Sequence, residues 1–434
     1  MTDTGRSEQG AAGGSNNSGP VQREMGYLEL IRTEHNFRRL WFGNLVSLFG
    51  DWFNLIALLS VVTRYSGSPL ALSLVFVAKF LPAAIVSPFA GYLVDRFNRR
   101  RLMIVCDVLR AIVVLGLLWV DSRTDVALAL VLTAAQVGIS SVFQPAQRSA
   151  IPNIVSRENL LAANALMAVS WSIMLAFGAA IGGFATHLFG PDAAFVLDSA
   201  TYLVSAVFIL RTSIPQETNL GGGKGTTLAA IRDGWIRMRE RPIVGRLALA
   251  KAAGAVGVGG LVFLLALVGQ LAMPSRPEIG IGLLFAARGI GTGIGPIVAR
   301  RLFADQSQWP RLIGVLMCIT GALYFLVGLG PAILIMAAFV TAAHAASGAT
   351  WVLSTVLLQQ KTVDAYRGRV FATEWLFVML VDSISIFVAG LLLEYVIREV
   401  YPVVLIYAAV QVVAGTLWML VPFPPDNDKP ADHE

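Results

Sequence analysis

Apolar blocks about twenty residues long, separated by short polar stretches, run through most of the chain. Twelve can be marked, near 40–63, 70–93, 102–120, 126–147, 161–189 and 195–211, and again near 246–272, 279–299, 312–329, 333–358, 371–396 and 402–421. Twenty residues of α-helix rise about 30 Å, the thickness of a bilayer's hydrocarbon layer. Within the blocks, polar residues do not alternate with apolar ones in ten-residue segments, so the pattern predicts helices and excludes a membrane barrel. The predicted class is an all-α membrane protein.

Composition agrees. Of 434 residues 56% are hydrophobic and 14% charged, against about 25% charged in soluble domains. So few charges cannot cover a globule of this size, whereas lipid-facing helices need none. Cys106 and Cys318 each sit inside an apolar block with no paired or His-rich spacing, so neither a disulfide frame nor a metal site is expected, and no cofactor. The expected organisation is a disordered tail and a short interfacial helix over 1–37, a six-helix bundle over 38–211, a linker with a basic helix over 212–245, a second six-helix bundle over 246–422, and a tail over 423–434. The first 24 residues lack the apolar core of a signal peptide. The glycines of Gly221-Gly222-Gly223-Lys224-Gly225 read as flexible linker, since no strand precedes them and no phosphate-binding pattern follows.

The net charge of +6 matters through its placement and gives no nucleic-acid signal. Alternate loops hold only Arg64, Arg123, Arg276 and Arg398, whereas the others carry Arg96, Arg99–Arg101, Arg148, Arg157, Arg300, Arg301, Arg311, Lys361, Arg367 and Arg369. Cationic loops stay in the cytoplasm, which puts both termini inside a plasma or inner membrane.

The sharpest motif is Gly91-Tyr-Leu-Val-Asp95-Arg96-Phe-Asn-Arg99-Arg100, in the turn between the second and third blocks. It resembles the major facilitator superfamily signature G-x-x-x-D-R-x-G-R-R, with Asn98 in place of its last glycine. Asn tolerates left-handed backbone, so the turn is expected to survive. The resemblance implies a gate in which Asp95 and the arginines hold the cytoplasmic side shut in one state. Gly178-Ala-Ala-Ile-Gly182-Gly183 is similar to the family's antiporter signature G-P-x-x-G-G, with Ala179 for proline, and it reads equally well as small-residue helix packing. Gly50-Asp51-Trp52, Phe143-Gln-Pro145-Ala-Gln-Arg148, Glu158-Asn-Leu-Leu-Ala-Ala-Asn164 and Arg367-Gly-Arg369-Val370 resemble the drug:proton antiporter group of macrolide-efflux and enterobactin-exporter-like proteins. The implied fold is two six-helix bundles related by a pseudo-two-fold axis.

Ionisable residues inside spans are costly and mark function by default. Asp51 falls mid-span in the first helix and is the candidate proton carrier; Asp382 and Glu374 in span eleven are further candidates. Lys79 lies at similar depth in span two, where it would either pair with Asp51 or attract an anionic substrate. Arg288 in span eight needs a counter-charge, which either Asp382 or Glu374 can supply. Trp52 and His344 complete the expected substrate cavity. Asp107 and Arg110, one helical turn apart, are expected to neutralise each other. Asp198 and His187 fall near the outer ends of their spans, where water reaches them cheaply.

The resemblance implies a secondary exporter of an amphipathic organic compound (drug, macrolide or siderophore-like) that exchanges it for protons. It would act as a monomer among membrane lipids, with no nucleic acid and no catalysis. A lipid or lysophospholipid translocator and a non-transporting sensor or scaffold are the alternatives. No ATP-binding motif is present, so a gradient is the expected energy source.

Overall fold

A computed structural model of the chain describes residues 25–215, 227–302 and 305–423. The tails, the linker glycines with Lys224, and their expected disorder or flexibility lie outside the described residues. Fourteen α-helices occur among those described: α1 (Tyr27–Thr33), α2 (His35–Ser66), α3 (Pro69–Arg96), α4 (Arg99–Leu115), α5 (Val126–Ala150), α6 (Leu160–Leu210), α7 (Thr227–Glu240), α8 (Pro242–Ala248), α9 (Ala250–Ala272), α10 (Pro277–Leu302), α11 (Trp309–Gly328), α12 (Ile333–Lys361), α13 (Asp364–Tyr395) and α14 (Val400–Leu420). Eleven continuous stretches are long and apolar enough to cross a membrane. The twelfth crossing is hidden in α6. Its 51 residues would rise about 76 Å, more than two bilayer crossings. Gly190, at φ 80° and ψ 168°, breaks the helix just before Pro191. That backbone is open to glycine alone, so two spans meet there with almost no loop.

Helices α2–α6 pack on one another, as do α9–α14, and the two sets meet chiefly where α6 lies on α10 and α3 on α13. Glycines set how closely they approach. Gly289 and Gly293 of α10 face Ala176 and Ser172 of α6 across the seam, while Gly291 and Gly295, offset by two residues, face Thr341 and Ala345 of α12. Each pair is spaced i,i+4, so one helix presents a small-residue stripe to each neighbour.

The hydrophobic core divides unevenly along the membrane normal. At the face opposite the termini, one cluster runs through both halves, from Phe53–Val62 and Leu72–Phe76 to Leu261–Val268, Ile281–Ala287 and Ile386–Leu393. At the termini face there are two separate cores. One belongs to the first half, around Phe37, Met103, Phe143 and Ile151; the other belongs to the second, around Val244, Trp309, Leu353 and Val370. Among the described residues, only the small cluster of Ala84, Ala252, Val378 and Met379 bridges the halves at intermediate depth. Polar links also join the halves at the far face. Glu278 of α10 accepts from Ser60 of α2 at 2.9 Å and lies 3.5 Å from His187 of α6. Glu394 of α13 accepts from Ser68 at 2.7 Å and from the Leu70 amide, so it caps the N-terminus of α3 from the other half. Gln270 donates to Thr63 at 2.9 Å. The far face is zipped, whereas at the termini face the buried cores are separate and the linker helix α7 touches both α13 and α3.

Candidate functional site: charged clusters at the seam

The signature turn is built differently from expectation. Asn98 has φ −62° and ψ 118°, an extended backbone, and its side chain accepts from the Arg101 amide at 3.1 Å as the N-cap of α4. Left-handed geometry is not used here; Asn serves because it is among the best N-caps. Arg99 donates to the Ser149 carbonyl at 2.8 Å and to Asn153, and Arg100 donates to the carbonyls of Ile209 and Leu210. Both cations therefore sit on the ends of helices α5 and α6, where the helix dipole favours them. These bonds stay inside the first half. Arg96 ends α3 and donates to Tyr92. Gly91 and Asp95 fall in the last turns of α3, and what their side chains meet lies outside the described part.

The antiporter-like stretch lies at two contacts. Gly178 and Gly182 take the Trp52 side chain and the Phe53 backbone of α2, whereas Gly183 lies against the Glu278 carbonyl and Gly282 of α10, on the seam. Trp52 approaches Phe285 with ring centroids 6.3 Å apart, and Phe76 stacks on Phe285 at 6.4 Å and meets Phe263 edge-on at 5.9 Å. These four rings form a layer that joins the halves. Lys79 and Arg288 each follow a layer phenylalanine by three residues, so each lies one turn nearer the termini face.

Beneath this layer each half carries its own charges. In the first, Asp51 accepts from Tyr202, and Gln136 donates to the same hydroxyl at 2.7 Å. Lys79 has Asp51 and Asp198 as its electrostatic partners. Asp198 is 0% exposed and accepts from Asn54 at 2.8 Å. It is not water-reached at a span end as its sequence position suggests. The Gly190 break starts the sixth span abruptly, and Asp198, two turns in, lies against Gly50 of α2. Asp107 and Arg110 form a buried ion pair, with the guanidinium between the rings of Phe143 at 4.4 Å and Tyr202 at 4.3 Å. Sequence reasoning passed over Asp198; its spacing from Tyr202 (i,i+4, the same helix face) was the available signal.

In the second half Arg288 has Asp382 and Tyr324 as electrostatic partners and lies 5.8 Å from the Phe285 ring. His344 bonds the Tyr324 hydroxyl at 2.8 Å, and both are buried. Glu374 is not Arg288's counter-charge. It pairs with Lys251 of α9 at 2.9 Å, both side chains being about 5% exposed or less, with the ammonium 4.6 Å from the Trp351 ring. Lys251 begins a span beside a basic linker, and that position hides it in the sequence. No group of three or more metal-ligating side chains occurs among the described residues. A surface groove of about 400 Å³ between α11 and α14, lined by residues such as Leu323, Phe325 and Val412, includes none of these groups.

The family model for the Major Facilitator Superfamily matches residues 40–389. The chain belongs to that superfamily. It is therefore a membrane transporter. It is 25% identical over 381 residues to the uncharacterized MFS-type transporter YfiS of Bacillus subtilis, covering 85% of this chain and 89% of that protein. It is 26% identical over 337 residues to the "Putative bacilysin exporter BacE" of Bacillus amyloliquefaciens, covering 78% and 84%. Among solved structures, the nucleoside transporter NupG matches with a TM-score of 0.70 at 11% identity, over 88% of this chain and 99% of that one. A bacterial homolog of the human lysosomal transporter Spinster, in an inward-facing and occupied conformation, matches with a TM-score of 0.68 at 15% identity, over 88% and 95%. At these identities the structures speak for the fold alone.

Proposed function

We propose that this superfamily member exports a small amphipathic organic compound in exchange for protons. The observation that carries the reading is the core shared at one face and divided at the other, with Asp51, Lys79, Arg288 and Asp382, all partly exposed, below the aromatic layer where the division begins. Mid-membrane charges are tolerated where they border water or one another. The rocking halves of this fold then expose them to either side in turn. The termini face carries the Arg-rich loops, so it is taken as cytoplasmic, in a plasma or inner membrane, and the structure as the state open to the cytoplasm. The apolar rings of Trp52, Phe76 and Phe285 suit the greasy part of a substrate, and the charges its polar part. The exporter name of a relative supports the outward direction. Protonation of Asp51 would shift the balance of states, because only a differential affinity between states can drive them. The cytoplasmic signature turn would contribute to closing that face in the opposite state.

The test is accumulation of a fluorescent amphiphile in cells with and without the protein, repeated with a protonophore. Lower accumulation that the protonophore abolishes is expected. Accumulation unaltered by expression across a broad amphiphile panel would remove the exporter reading.

A further inference from the structure

The charges in the first half do not balance. Asp51 on α2, Asp107 on α4 and Asp198 on α6 face Lys79 on α3 and Arg110 on α4, three acids against two bases, in one cluster around Tyr202 in which Asp107, Asp198 and Arg110 are buried and Asp51 and Lys79 partly exposed. Fully ionised, it holds one excess negative charge. A buried charge without a partner is expensive, and the cheapest remedy is to bind a cation. Arg110 is committed to Asp107, leaving Lys79 to serve both remaining carboxylates.

A second observation points to the same place. Asn54 is 0% exposed; its amide nitrogen donates to Asp198 while its Oδ1, equally buried, has no hydrogen-bond partner among the described residues. An amide is one of the few side chains that serves either form of a carboxyl, donating to the ionised group or, once turned over, accepting from the protonated one. Gly50 makes room, since a Cβ there would lie 2.4 Å from an Asp198 carboxylate oxygen.

We propose that Asp51 and Asp198 form one site that takes up a single proton, with Lys79 as its fixed counter-charge and Asn54 as the amide that accommodates both states of Asp198. The proposal rests on the antiport reading and extends it from one carboxylate to a pair. A hydronium ion at the open face gives its proton to one carboxylate oxygen: one O–H bond of hydronium breaks, a carboxyl O–H forms, water is left behind, and nothing is oxidised. Because both carboxylates act on Lys79, a proton on either leaves the ammonium to the field of the other. Protonation thus reaches from α2 to α6, the helix that lies against the second half along the seam.

The test is pH-difference infrared spectroscopy of the purified full-length protein at neutral pH, reading the band of protonated carboxyls. Contributions from Asp382, Glu374, Glu278 and Glu394, which lie outside the cluster, are common to all variants and cancel between them, and the same spectrum of Asp107→Asn identifies the part that Asp107 contributes. Asp51→Asn and Asp198→Asn should each abolish the band component, because each removes the excess charge without a proton. Lys79→Met should roughly double it. Asp198→Glu, which keeps the charge, should retain the component at a shifted frequency and guards against loss of folding in the Asn variant. Loss of the component in only one of the two Asn variants would reduce the site to a single carboxylate and overturn the proposal. So would an unchanged amplitude in Lys79→Met, or a component that follows sodium rather than pH. Protonophore-insensitive export with this pattern intact would instead count against the antiport reading alone.

Discussion

The two halves of the transporter hold their buried charges in different ways. In the second half two cations stand against two carboxylates: Lys251 is ion-paired with Glu374, and Arg288 has Tyr324 and Asp382 in its surroundings. The first half gathers three carboxylates and two cations into one network. A balanced pair resists titration because either change of charge strands its partner, whereas an unbalanced cluster invites it. On the proposed reading, two bundles of one fold divide the work, one holding the exchangeable charge and the other a cation, Arg288, at the seam. The sharpest way to break this contrast is Asp51→Asn. It should reduce protonophore-sensitive export to the level of cells lacking the protein, while the variant still folds, because Asn keeps the shape and accepts from Tyr202. Export that remained proton-coupled in Asp51→Asn would remove this residue from the mechanism.

The second half should respond through stability. Glu374→Gln leaves the Lys251 ammonium buried beside a neutral amide, and losing one partner of a buried pair costs about 3–5 kcal/mol. Removing both charges as Lys251→Met with Glu374→Leu should recover most of that loss in a thermal-unfolding assay. A double variant no more stable than Glu374→Gln would mean that the pair does more than neutralise itself.

Much of the architecture was legible because hydrocarbon thickness acts on every span alike. All twelve blocks map onto helices, and even the two merged in α6 were separable in the sequence, because Gly190-Pro191 interrupts the apolar run. The charge clusters were only half legible. Asp51, Lys79, Arg288 and Asp382 stand out as mid-span charges, and Asp107 with Arg110 by their spacing. Asp198 and Lys251 did not, since each lies within a few turns of a span end, where the sequence cannot distinguish a wet helix end from one covered by its neighbours. Partner choice was hidden for the same reason. That Glu374 meets Lys251 and not Arg288 depends on how α13 lies on α9, a packing fact that no local pattern encodes.

The halves meet most tightly at the far face, and there the comparison can be sharpened. Glu278 and Glu394 are reached by Ser60 and Ser68, each hydrogen bond to a charged group being worth about 1.5–3 kcal/mol before discounting for partial exposure. Combined Glu278→Ala and Glu394→Ala should move the population toward opening of that face. Spin labels near residues 121 and 330 would record a longer far-face separation. An unchanged distance distribution would show that the shared apolar core alone holds the halves together.

The smallest effect concerns the signature turn and belongs to the first half alone. If Asn98 were needed for a left-handed backbone, glycine there would be an improvement and alanine a strain. Because it is instead an extended N-cap bonded to the Arg101 amide, the order is set by capping. Asn98→Ala should cost about 1 kcal/mol and Asn98→Gly only a few tenths, since glycine is itself an acceptable cap. Thermal unfolding of the two variants separates these accounts, and a glycine variant more stable than the native protein would restore the left-handed turn. The outcome bears on Arg99 and Arg100 as well. Both reach their carbonyl partners from the first turn of α4, so the cap that starts this helix also aims the arginines that tie α5 and α6 to it.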